Sequence, residues 1–150
     1  MSNHSFEFIP MSSSDSLVAP VIEDDFCREA YESFKNLFLK DGYSPPWISY
    51  FVWHDKTLIA VGGYKGPPEN NRIEIAYGTV PEHEGKGYAT MICKELVAMA
   101  LKERPNLRIC ARTLIGENAS TKILQRNGFK LQGVVNDPED GEVWEWELEK

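Results

Sequence analysis

The 150-residue chain has no apolar run near the ~20 residues a membrane-spanning helix needs, so no membrane partner is expected. Its first seven residues hold neither a basic stretch nor an apolar core. That excludes the secretory-signal pattern and leaves a cytoplasmic protein as the expectation. Cysteine is scarce: Cys27, Cys93 and Cys110 form an odd count with no metal spacing. Reduced thiols and no metal are therefore expected. Positive charge is in deficit. A net charge of −7 argues against nucleic acid as a partner, because such binding neutralises phosphates with cations. The same charge is compatible with a cationic amine substrate. Repeats and linkers are also missing, so residues 1–150 read as one domain, and 42% hydrophobic with 26% charged residues is the balance of a globular protein.

What the chain does have is the stretch TVPEHEGKGYAT at residues 79–90. An apolar strand runs into it and a long amphipathic helix runs out of it. Gly85 and Gly87, one residue apart, allow a tight turn because glycine reaches backbone conformations closed to other residues. A helix start leaves several N–H groups unpaired, and with the positive end of the helix dipole they form an anion site. Lys86 adds a full charge. The stretch reads as a pyrophosphate cradle with donors from the amides of Glu84, Gly85, Gly87, Tyr88, Ala89 and Thr90. Two common phosphate motifs do not match. The P-loop needs a longer spacing followed by Gly-Lys-Ser/Thr, and the dinucleotide fingerprint needs a further glycine where Thr90 stands.

The rest of the chain reads as follows. Phe6-Glu7-Phe8-Ile9-Pro10 alternates as a short strand, and residues 11–20 are a Ser-rich loop. Residues 22–40 carry Phe26, Ala30, Phe34, Leu37 and Phe38 at helical spacing, with acidic residues near the start and Asp41-Gly42 at the end. Strands are expected over 48–53 and 57–64, around the turn His54-Asp55-Lys56, and again over 72–80, a meander of antiparallel neighbours. A helix over 88–104 packs with Ile92, Leu96, Met99 and Ala100. The strand 107–112 follows it, a right-handed parallel crossover. A second helix over 119–127, a strand over 129–135, a loop over 136–141 and a strand over 143–149 close the chain, with Trp144 and Trp146 as core. The fold class is α+β: a mixed, mostly antiparallel sheet of six or seven strands with helices on both faces and one β-α-β crossover.

Glu84-Gly85-Lys86-Gly87-Tyr88-Ala89 resembles the acetyl-CoA motif of the GNAT family of N-acetyltransferases, Gln/Arg-x-x-Gly-x-Gly/Ala, with Gly87 and Ala89 at the small positions and Glu84 departing from the usual first residue. ENASTKILQRNGF at residues 117–129 is similar to the same family's second cofactor helix, of the type found in ribosomal-protein acetyltransferases. The resemblance covers nearly the whole chain. It implies acetyl-CoA as cosubstrate, a sheet that splays before the glycine loop, and direct attack of a small-molecule or peptide amine on the thioester. A lysine-like amine has a pKa near ~10.4, so freeing its lone pair at neutral pH costs roughly 4–5 kcal/mol, whereas the leaving thiol, near about 8.5, needs less help. A base therefore matters more than an acid.

On family position Glu74 is the candidate base, placed by alternation on the face of Ala76 and Gly78, opposite Ile73, Ile75 and Tyr77. Small and apolar neighbours there would raise its pKa. The alternative for Glu74 is a strand glutamate paired with a lysine or arginine. The position of the family's proton-donating tyrosine is Leu124, which leaves Ser120 or water as the acid. Ser120 also suits a helix N-cap, the preferred reading, and Asn118 matches the family's pantetheine-binding asparagine while suiting a cap as well. The backbone of Tyr77, Thr79 and Val80 is expected to pair with the pantetheine arm, the Val80 N–H holding the oxyanion. Trp47, Tyr50 and Tyr31 are candidates for an amine pocket or for core. A non-catalytic acyl-CoA sensor on the same fold and a nucleotide-phosphate binder are the competing readings; a monomer and a homodimer are both compatible with the sequence.

Overall fold

A computed structural model describes residues 6–11, 25–42 and 44–149, without the side chains of residues 37–39 and 41. The expected loop over 12–20, the first residues of the expected helix over 22–24, Tyr43, and the side chains of Leu37 and Phe38 lie outside the described residues.

The elements are β1 (Phe6–Pro10), α1 (Asp25–Asp41), β2 (Ser49–His54), β3 (Thr57–Tyr64), β4 (Arg72–Thr79), α2 (Tyr88–Glu103), β5 (Arg108–Thr113), α3 (Ala119–Arg126), β6 (Phe129–Asp137) and β7 (Gly141–Leu148). A short 3-10 turn, Pro81–His83, not foreseen in the sequence, joins β4 to the glycine loop. The seven strands form one sheet in the order β1-β2-β3-β4-β5-β7-β6. Only β4 and β5 run parallel, and α2 is their crossover. Elsewhere neighbours are antiparallel, as short hairpin connections require.

Local chemistry sets these elements. The β2–β3 hairpin turns on Asp55 and Lys56, both at positive φ (48° and 64°), which a two-residue primed turn demands. α1 buries Cys27, Tyr31 and Phe34 on one side of the sheet, Tyr31 stacking near Phe34 and Phe51. α2 buries Ile92, Cys93, Leu96 and Ala100 on the other, and the Tyr64 hydroxyl donates to the Leu96 carbonyl at 2.7 Å. Met99 packs against this core while partly buried, and Cys93 is a further buried residue of the seam. Trp146 is buried with its indole N–H on the Thr113 hydroxyl (3.0 Å), and Trp144 packs edge-on against it. The loop expected over 136–141 is shorter than that. β6 runs on to Asp137, whose carboxylate accepts the amides of Glu139 (2.8 Å) and Asp140 (3.1 Å) and so forms the hairpin turn itself. Among the described residues no helix is long and apolar enough to cross a membrane.

The feature that positions the site is where β4 and β5 stop pairing. They pair only over Arg72, Ile73 and Glu74 against Arg108, Ile109 and Cys110. Beyond Glu74 the strands part, while β4 stays paired to β3 as far as Thr79.

Candidate active site

The loop after β4 is built in steps. The Val80 N–H donates to the Ile59 carbonyl at 2.8 Å and closes the β3–β4 ladder. The His83 N–H returns to the Val80 carbonyl (2.8 Å) and the Glu84 N–H to that of Pro81 (3.3 Å). Gly85 and Gly87 then both take φ +81°, a left-handed conformation that costs other residues about 1–2 kcal/mol. Gly87 is the N-cap of α2, and among the described residues no side chain caps that helix. The Met91 N–H reaches the Gly87 carbonyl at 3.4 Å, but among the described residues no carbonyl outside the helix takes the N–H groups of residues 85–90. Tyr88 anchors this turn through its ring, which lies edge-on to Phe6 (5.7 Å) and tilted to His54 (5.4 Å).

These amides open onto a cleft of about 550 Å³ walled by Thr79, His83, Gly85, Gly87, Ala89 and Thr90 on one side, and by Asn118, Lys122, Ile123 and Arg126 of α3 on the other. The two walls are tied together: the Asn127 amide donates to the Thr90 carbonyl (3.3 Å) as well as to Ile123 (3.0 Å). Lys122 and Arg126 went unnoticed in the sequence. Their spacing on one helix face, facing the glycine loop, is the signal that points to them. Lys86, by contrast, is exposed and does not line the cleft.

Two expected donors are already committed. The Val80 amide belongs to the β3 ladder and the Glu84 amide to the 3-10 turn, so neither is free for a ligand. Alternation explains what is left. Since Val80 and Glu74 direct their main-chain groups toward β3, Tyr77 and Thr79 direct theirs into the gap between β4 and β5.

Asn118, not Ser120, is the N-cap of α3. Its Oδ1 accepts the Thr121 N–H at 3.0 Å, while the Thr121 hydroxyl accepts the Asn118 N–H at 3.1 Å. Its amide also donates to Gly116 (3.1 Å). Ser120 is exposed and lines neither this cleft nor the hollow around Glu74. Leu124 is 1% exposed, deep in the core.

Glu74 lies on the α1 side of the sheet, on the face of Ala76 and Gly78 as expected; the Phe26 ring of α1 lies so close to Gly78 that an added Cβ would come within 2.6 Å of it. Its carboxylate is 18% exposed, 3.4 Å from the Lys65 ammonium and 3.9 Å from the Arg112 guanidinium. The expected apolar surroundings are therefore absent. The next strand brings Arg112 alongside, and Arg112 is itself held by Asp137 (3.0 Å) and Glu145 (3.3 Å). The Glu139 amide first, then the Arg112 guanidinium and the Asp140 amide, hold the Asp137 carboxyl below the ordinary range. Cys110, beside Glu74 in register, is buried, and its thiol is pushed up to about 11 by that burial. Tyr31 (2% exposed) and Trp47 (8%) are core aromatics, Trp47 standing edge-on to Tyr64, and Tyr50 is buried with its hydroxyl on the Pro46 carbonyl. None of the three lines the cleft at the glycine loop or the hollow around Glu74.

Residues 11–130 match the family model described as an acetyltransferase (GNAT) domain. The chain belongs to the GNAT acetyltransferase family. Among curated relatives, the uncharacterized N-acetyltransferase YjdG of Bacillus subtilis (strain 168) is 31% identical over 106 residues, 69% of this chain. The chain spans 63% of that protein's length. Among solved structures, RimL, a ribosomal L7/L12 alpha-N-protein acetyltransferase in complex with coenzyme A, superposes with a TM-score of 0.68 at 16% identity, covering 97% of this chain and 94% of that one. The Campylobacter jejuni N-acetyltransferase PseH in complex with acetyl coenzyme A gives 0.69 at 15% identity, covering 97% and 99%. The GNAT fold thus accounts for the splayed strands and the position of the glycine loop.

Proposed function

We propose that this GNAT domain transfers an acetyl group from acetyl-CoA to a primary amine. The observation that carries the reading is the run of unclaimed amides at residues 85–90, opening on a cleft beside the unpaired edge of β4. Those donors and the helix start suit a diphosphate, with Lys122 and Arg126 adding cationic charge from the facing wall. Tyr77 and Thr79 would hold the amide-bearing arm by strand-like pairing and supply the N–H for a developing oxyanion. Asn118 retains a role at the mouth of the arm only as a cap whose amide is already shared with Gly116.

Acetyl-CoA supplies an activated carbonyl. Glu74 receives the proton of the incoming ammonium, whose charge takes the place of Lys65 beside the carboxylate. The freed nitrogen forms the C–N bond, the C–S bond breaks with its electron pair on sulfur, and the nitrogen's second proton passes to water as the amide forms. With Leu124 buried and Ser120 facing solvent, water supplies the thiolate's proton.

Calorimetric titration with acetyl-CoA, followed by thiol release in the presence of amines, tests this reading. Saturable binding with amine-dependent release supports it. Absence of binding overturns it. Tight binding without release with any amine would make the protein an acyl-CoA-binding module, the reading that the missing tyrosine favours.

A further inference from the structure

The face of the sheet that carries Glu74 holds two hollows. The polar one, about 710 Å³, includes Lys65, Glu74, Arg112 and Asp137. Its guanidinium groups are already engaged: Arg112 with Asp137 and Glu145, Arg72 with Glu145, and Arg108 with Glu147 at 2.8 Å. A charged acceptor would have to compete with neighbours that are in place, so charge gives this hollow little power to select. The second hollow, about 270 Å³, is walled by Met11, Phe26, Ala30, Phe34, Val61 and Ala76. It is just below the usual range for whole small-molecule sites and suits one ring or one branched chain.

The two hollows meet at Lys65, which lines both and whose ammonium is 3.4 Å from Glu74. Ala76 is exposed and follows Glu74 on the same face, ~6–7 Å along the strand. An apolar group resting over Ala76 therefore sets an amine on a short aliphatic linker beside the Glu74 carboxylate.

We infer, building on the acetyl-transfer reading of this site, that the acceptor is a primary amine carrying a compact apolar group, which lodges beneath α1 while its nitrogen lies at Glu74. The ammonium gives one proton to Glu74, the neutral nitrogen forms the C–N bond to the acetyl carbon and loses its second proton to water, and the thiolate of coenzyme A departs with the electrons of the broken C–S bond. Polyamines, and amino acids without a bulky apolar side chain, lack a group to fill the apolar hollow and react poorly.

Thiol release from acetyl-CoA by the full chain is compared for 2-phenylethylamine, ethylamine, spermidine, β-alanine and a dipeptide amide beginning with phenylalanine. The expected kcat/KM for 2-phenylethylamine or the dipeptide exceeds that for the other three by about tenfold or more, the scale of discrimination an apolar pocket gives. Whichever of the two is faster identifies the source as a free amine or a peptide N-terminus. Ala76→Phe fills the hollow from an exposed position and should bring the ratio of 2-phenylethylamine to ethylamine close to one, with acetyl-CoA affinity as the check on folding. Spermidine or β-alanine equal to or faster than both apolar acceptors, or an unchanged ratio in Ala76→Phe, overturns the inference while leaving acetyl transfer intact. If acetyl-CoA binds and no amine releases thiol, acetyl transfer itself falls, and the acceptor class with it.

Discussion

Of the two clefts that flank the open end of β4, one is walled largely by main-chain donors and the other by side chains. On the α2 side, Gly85 and residues 87–90 offer N–H groups, fixed by two glycines at φ +81° and by the start of a helix. On the α1 side, Glu74, Lys65, Arg112 and a ring of apolar groups come from six separate elements and loops. A main-chain site is insensitive to most side-chain changes and very sensitive to backbone conformation. A side-chain site has the opposite sensitivity. That contrast orders the experiments.

The largest effect belongs to the side-chain cleft. Glu74→Gln keeps the shape and removes the proposed proton acceptor, so kcat should fall by at least about a hundredfold, the usual scale for a general base. Acetyl-CoA affinity, which the proposed function assigns to the other cleft, should stay within about twofold in a calorimetric titration, a change of under ~0.5 kcal/mol. Near-native turnover would remove Glu74 from the role and leave it as a partner of Lys65.

The main-chain cleft is broken at Gly87. A valine there must hold φ +81°, at a cost of about 1–2 kcal/mol or a rearranged helix start. Acetyl-CoA affinity should drop by about tenfold or more, ~1.4 kcal/mol per decade. Lys86→Ala, in the same loop but outside the cleft wall, should cost less than about threefold, as for an exposed charge. If Lys86→Ala proved the more damaging, the comparison would fail, because the loop would be acting through its side chain.

The same division explains what could be read without coordinates. Glycine spacing reports backbone conformation directly, so the tight turn at Gly85 and Gly87 and the crossover around it were legible, as were the sheet and its alternation at Glu74. Hydrogen-bond partners are a tertiary property. Nothing local tells that Val80 pairs with Ile59, or that the Glu84 amide closes a 3-10 turn, so both were misassigned as open donors. Arg112 reaches Glu74 only because β5 lies beside β4, which is why a charged neighbourhood replaced the expected apolar one. Serine and asparagine both cap helices, and the choice of Asn118 over Ser120 was settled by the reciprocal pairing with Thr121.

That cap offers a smaller test on the boundary between the two materials, since a side chain there secures a main-chain wall. Asn118→Ala removes the acceptor for the Thr121 N–H and should lower stability by about 1 kcal/mol in urea unfolding. A loss of affinity for acetyl-CoA larger than the loss of stability would show that Asn118 also contacts the ligand.

The smallest effect comes from Asp137, which holds the far wall of the side-chain cleft. Its side chain is 5% exposed, accepts the amides of Glu139 and Asp140 through one oxygen, and meets Arg112 at 3.0 Å through the other. Asn at this position can still accept the two amides but turns a donor toward the guanidinium. The variant thus isolates the charge, worth roughly 0.5–1 kcal/mol for a part-exposed pair at neutral pH. Because the folded carboxyl titrates below its ordinary value, its contribution is fully present above that value, near ~3.9, and is lost as pH falls through the lower folded value. The difference in unfolding free energy between wild type and Asp137→Asn should therefore hold steady from neutral pH down to about 4 and shrink below it. A difference that stayed constant to lower pH would mean that the cost of Asp137→Asn comes from the amide donor turned toward Arg112 and not from the lost charge.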